Sequence, residues 1–138
     1  MTVPGRLLVL TLLLPIAACG SDTPATPTTS SAPYSQTDLI VGTGATALAT
    51  SRVTVSYTGW LYDTSKTDGK GLQFETNPNA TFLLTGVIAG WQRGVAGMKV
   101  GGQRRLIIPP DLAYGSAGSG PIPPNATLVF DIGLLAVQ

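Results

Sequence analysis

Residues 122–131 read IPPNATLVFD: a proline pair, an Asn-centred turn and the start of an alternating apolar run. Pro123 and Pro124 fix the backbone ahead of the run, because each locks φ and lacks an N–H. Leu128, Phe130, Ile132 and Leu134 then share one face of a strand predicted over residues 127–137. This period of two is the pattern of a sheet with one side on a core. Just upstream, residues 111–125 form a long loop rich in Gly and Ser that carries Ala113-Tyr114-Gly115. Residues 103–108 read as another strand, closed by Pro109-Pro110.

Further upstream, residues 88–98 are the helix candidate. Trp91, Val95 and Met98 fall at i, i+4 and i+7 on one face. Gly90, Gly94 and Gly97 each cost about 1 kcal/mol against Ala in a helix interior. Such a helix is short, held by docking, and able to approach its neighbour closely. Residues 52–58 alternate cleanly, with Val53, Val55 and Tyr57 on one face and Thr54, Ser56 and Thr58 on the other, and Gly59 is expected to end that strand. Leu39-Ile40-Val41, Leu72-Gln73-Phe74 and residues 81–84 supply further short strands, with a turn at Asn77-Pro78-Asn79. The expected class is α+β: an antiparallel sheet of about five strands half-wrapped around one short helix.

Composition narrows the chemistry. Net charge is +1 and only 11% of the 138 residues are charged, so no basic field marks a nucleic-acid partner. There is no His and one Cys. A zinc site of Cys and His ligands is excluded, as is any His-dependent triad. No cofactor is expected. The body is a single domain over residues 38–138, long enough to bury one core without staples, and a monomer is expected.

The one cysteine has a specific place. Arg6 precedes an apolar run, and Ile16-Ala17-Ala18 leads into Cys19. A basic start, a short apolar stretch and small residues read as a secretory signal over residues 1–18. The run is too short for a spanning helix, which needs about 20 residues. The small residues before Cys19 resemble a bacterial lipobox, in which the Cys is acylated and becomes the new N-terminus. Residues 19–37 are rich in Ser, Thr, Pro and Ala and read as a disordered tether. The expected location is extracytoplasmic, in the periplasm or at the cell surface, held to a membrane by the lipid alone. An ordinary secretory signal with an incidental Cys19 is the competing reading.

Tyr57-Thr58-Gly59, Phe74, VIAGW at residues 87–91, QRGVAGMKVG at 92–101, Ala113-Tyr114-Gly115 and IPPNATLVFD occur in this order along the chain. They resemble the FKBP-type peptidyl-prolyl cis-trans isomerase family over about residues 39–135. The resemblance implies a pocket between sheet and helix that takes proline-containing segments of exported proteins, and macrolide ligands. Trp91 would be its floor, and Tyr57, Phe74 and Phe130 its aromatic walls. Val87, Ile88 and Ile122 would line the rim, with the Ile88 N–H and the Tyr114 hydroxyl binding peptide carbonyls. Glu75 stands where the family usually has Asp, accepting a hydrogen bond from Tyr57. The family's basic partner is missing, because no Lys or Arg occurs between Lys70 and Arg93. Its other wall aromatic falls near Ala80, so one wall is expected to be open. The competing function is an FKBP-like binding or chaperone module with little turnover. A purely structural surface lipoprotein would have no pocket.

Overall fold

The structure, a computed structural model, describes residues 31–138. Five antiparallel strands form one sheet: β1 (Ser35–Ile40), β2 (Arg52–Tyr62), β3 (Lys70–Leu83), β4 (Gln103–Ile108) and β5 (Leu128–Val137). Their spatial order is β1-β4-β5-β2-β3. One helix, α1 (Ala89–Val95), packs on a single face. The α+β class and the half-wrapped helix of the sequence reading are both present. The signal segment, Cys19 and most of the tether lie outside the described residues.

The central strands follow their patterns. Val53, Val55 and Tyr57 of β2 are buried, as are Leu128, Phe130, Ile132 and Leu134 of β5. These two strands pair along their length, from Val53 opposite Val137 to Leu61 opposite Leu128. Alternation therefore sends both apolar sets to the same side, where Leu84, Val95, Leu106 and Ile108 complete the core.

Four boundaries differ from the sequence reading, each for a physical reason. β1 begins at Ser35, within the expected tether and ahead of Asp38. All six of its residues are exposed, so no apolar alternation marks it. Backbone pairing with β4 holds it, from Ser35 opposite Ile107 to Ile40 opposite Gln103. β2 does not stop at Gly59 but runs on to Tyr62, because Gly59 pairs with both Glu75 and Phe130. The two short strands expected around Asn77-Pro78-Asn79 are one strand, β3, and the expected turn is a bulge. Tyr57 pairs with Asn77 and Val55 with Ala80, leaving two β3 residues opposite Ser56. Pro78 is tolerated there because β3 is an edge strand and the bulge removes the need for its missing N–H. The Asn79 N–H instead donates to the Asn77 side chain at 2.9 Å. Finally, α1 is shorter than residues 88–98. Gly97 takes a left-handed φ of 88°, which stops the helix, while Met98 stays buried.

Two glycines set the distance between helix and sheet. Gly90 and Gly94 lie one turn apart on the buried side of α1. A methyl group at Gly90 would collide with Ile108, and one at Gly94 with Leu106. The helix rests directly on β4, and its low intrinsic propensity is offset by this docking. Arg104 of β4 secures the arrangement: one guanidinium nitrogen donates to the Gly94 carbonyl at 2.8 Å and another to Asp38 of β1 at 2.6 Å. On the other face, Asp131 accepts two bonds from Arg105, at 2.7 and 3.0 Å, and one from Lys70 at 2.6 Å. Burial alone would raise the Asp131 carboxyl. The hydrogen bonds from Arg105 and Lys70 outweigh it and hold the group below the usual carboxylate range.

Gly94→Ala tests the docking distance. Overpacking costs about 1–3 kcal/mol, against at most about 1 kcal/mol gained in helix propensity. The variant is expected to lower the urea midpoint at unchanged m-value, although the same change stabilises an exposed helix.

Candidate functional site

The sheet curls so that α1 covers only part of its concave face, and the uncovered part is a cavity of about 550 Å³. Trp91 forms the floor. It is 4% exposed and sits at the third position of α1. Three rings stand edge-on to it: Tyr57 at 5.0 Å, Phe130 at 5.3 Å and Phe82 at 5.6 Å between centroids, with interplanar angles of 85–89°. Edge-to-face contacts of this kind are each worth about 0.5–1.5 kcal/mol beyond area burial. The four rings hold one another at fixed angles, so the floor is rigid.

The walls come from different elements. Tyr57 from β2 and Phe130 from β5 arrive by strand alternation. Ala80, Phe82, Glu75 and Asn77 come from β3, and Tyr114 from the loop before β5. Val87 and Ile88, at the entry to α1, close the near side. The Ile88 carbonyl accepts from the amides of Trp91 and Gln92, at 3.0 and 3.1 Å, and starts the helix. The Ile88 N–H has no partner among the described residues and remains available to a ligand carbonyl. Gln92 fixes the preceding residue, donating to the Val87 carbonyl at 2.8 Å.

The polar edge centres on Tyr57 and Glu75. The Tyr57 hydroxyl donates to Glu75 Oε1 at 2.7 Å. Burial, followed by the hydrogen bond and negative charge of Glu75, pushes the Tyr57 phenol well above the ordinary tyrosine range. Tyr114 is raised as well, first by burial and then by the charge of Glu75. Both phenols therefore stay protonated, and can donate, throughout the neutral range. Among the described residues no group of three His, Cys, Asp or Glu side chains converges to hold a metal.

The structure brings Tyr57, Glu75, Val87, Ile88, Trp91, Tyr114 and Phe130 of the sequence reading to this cavity. Phe74 and Ile122 were expected at its wall and rim but are not among its lining residues. Phe74 stands behind Phe130, edge-on at 5.7 Å, and acts on the cavity through that ring. Gly59 makes the contact possible: a Cβ there would lie 2.6 Å from Phe74 and 2.8 Å from Phe130. Ile122 is buried in the core under its loop. The open wall expected near Ala80 is closed by Phe82, which also touches Tyr57 at 6.0 Å between centroids. Sequence reading missed Phe82. The Asn77–Asn79 bulge shifts the β3 register, and only with that shift do Ala80 and Phe82 both face inward.

A curled antiparallel sheet over one short helix, with a Trp floor and aromatic walls, defines a protein built around a hydrophobic pocket. Residues 44–135 match the model of the FKBP-type peptidyl-prolyl cis-trans isomerases, and the chain belongs to that family. It is 44% identical over 101 residues to an FK506-binding protein of Neisseria meningitidis, covering 72% of this chain and 92% of that one. A probable FK506-binding protein of Corynebacterium glutamicum is 44% identical over 99 residues, covering 72% and 82% of the two chains. The crystal structure of FkpA from Escherichia coli superposes with a TM-score of 0.66 at 40% identity, covering 76% of this chain and 48% of that one. Some relatives are far longer: the chain spans 27% of FK506-binding protein 4 of Dictyostelium discoideum, to which it is 48% identical over 102 residues.

Phe82→Ala is expected to open the β3 wall and to destabilise the fold by about 2–3 kcal/mol, below the usual range for a fully buried Phe because this ring is only partly buried. Thermal unfolding of the two proteins checks it; a change under about 0.5 kcal/mol would mean that Phe82 does not brace Trp91.

Proposed function

We propose that this protein is a peptidyl-prolyl cis-trans isomerase that assists the folding of exported proteins. The observation that carries the reading is the ring-walled cavity over Trp91, with donors at Ile88 and Tyr114 on its edge. Rotation about an X–Pro bond breaks amide resonance, with a barrier of about 18–20 kcal/mol. The twisted amide has lost charge separation and is less polar than the planar one. A dry apolar floor favours it selectively, and only such differential binding accelerates a reaction. The Ile88 N–H and the Tyr114 hydroxyl would hold flanking carbonyls while the prolyl ring lies on Trp91. No proton leaves the substrate, so a chain without His loses nothing.

The assay is acceleration of cis-to-trans exchange in a prolyl peptide by the full chain. Trp91→Leu is expected to lower kcat/KM by about 10- to 100-fold, or about 1.4–2.7 kcal/mol of transition-state stabilisation, with the fold retained by circular dichroism. Because Tyr57 and Tyr114 are both shifted upward, neither loses its proton as pH rises across the neutral range. kcat/KM is expected to be flat from about pH 6 to about pH 9. A bell-shaped profile in that window would point to acid–base catalysis and against this mechanism. Wild-type turnover at the uncatalysed rate, with prolyl peptides still bound, would instead support a binding or chaperone module.

The location belongs to the same proposal. The basic, apolar and small-residue pattern before Cys19 supports export and acylation at that residue. Cys19→Ser is expected to move the protein from the membrane to the soluble fraction of a bacterial host. Unchanged membrane retention would count against acylation at Cys19.

A further inference from the structure

Among the described residues, Glu75 is the only charged one that lines the cavity. Its surroundings leave that charge uncompensated. The three ion pairs among the described residues use Asp38 and Asp131 as their anions. Arg93 lies over the Tyr34 ring, 4.9 Å from its centroid. No Lys or Arg lines the cavity. The single described contact of the carboxylate is with the Tyr57 hydroxyl, which occupies Oε1 and leaves Oε2 open. That bond also fixes the direction of the group, so the charge is held at the mouth. Tyr114 lines the same cavity, and its phenol is raised first by burial and then by the charge of Glu75. The walls behind it are apolar rings, and low-dielectric walls focus a field into a cleft.

We propose that Glu75 gives the site a preference for prolyl segments carrying a Lys or Arg close to the proline, and a bias against acidic ones. The proposal rests on the isomerase reading and supplies its substrate class. A prolyl ring seated on Trp91 brings the neighbouring side chains to the mouth, where an ammonium or guanidinium can take the open Oε2. Because Glu75 is solvent-exposed, the effect is that of a screened pair. The expected preference for Lys over Glu is about three- to tenfold in kcat/KM at low ionic strength, shrinking at about 0.5 M salt.

The experiment uses two sets of short prolyl peptides, with Lys, Gln or Glu immediately before the proline in one and immediately after it in the other. Isomerisation is followed with the full chain and with Glu75→Gln, whose side-chain carbonyl can still accept the Tyr57 hydrogen bond. Binding of the same peptides, read by intrinsic fluorescence, gives their order independently of turnover. The order Lys, Gln, Glu in at least one set, flattened in Glu75→Gln and by salt, is the expected result. An order independent of charge, or one that survives in Glu75→Gln, overturns the inference while leaving isomerase activity intact. Failure to accelerate any peptide, with the charge order present in binding, would overturn the isomerase reading and keep the preference.

Discussion

The close approach of α1 to β4 is the constraint on which the cavity rests. Gly90 and Gly94 let the helix backbone sit where side chains would otherwise separate the two layers. That depth brings Trp91 within edge-on reach of Tyr57, Phe82 and Phe130, which belong to three different strands. A helix standing farther off the sheet would lose this joint contact, and the floor would become a mobile side chain over a gap. The glycines lower helix propensity, and the docking they allow offsets that local cost. Arg104 reinforces the arrangement from the sheet side by holding the Gly94 carbonyl.

The cavity separates two kinds of physics. Its floor is apolar and held by ring contacts, where geometry matters and charge is absent. Its edge is polar and carries one charge, anchored by a hydrogen bond between a phenol and a carboxylate. The two meet at Tyr57, whose ring packs on Trp91 while its hydroxyl orients Glu75. Gly59 does similar work two residues along β2, letting Phe74 support Phe130 from behind.

The parts of this fold legible in the sequence were those written as periodicity. Val53, Val55 and Tyr57, and Leu128 to Leu134, alternate because one side of each strand is buried. Trp91 and Val95 repeat at helical spacing for the same reason. Most of the site could be read as well, because Trp91, Tyr114 and Phe130 belong to motifs that lie together along the chain. What could not be read depends on pairing. The strand expected at Leu39-Ile40-Val41 starts back at Ser35, and because those earlier residues show no apolar alternation, only the pairing with β4 reveals them. The β3 bulge depends on two residues facing one across the ladder, and Phe82 joins the site only through that shift. Phe74 and Ile122 were assigned to the lining because a linear motif does not distinguish a residue touching the cavity from one supporting it.

The strand order has a mechanical consequence. β1 is one edge of the sheet, and β3, which carries one wall of the cavity, is the other. Tension applied to the chain ahead of β1 meets the antiparallel β1–β4 ladder first, and within the sheet β4 and β5 lie between β1 and the β2–β3 pair. Its first resistance is the row of backbone bonds from Ser35 to Ile40, together with the Asp38–Arg104 link. The margin that meets the chain ahead of β1 and the margin that walls the cavity are thus separated by the three strands β4, β5 and β2.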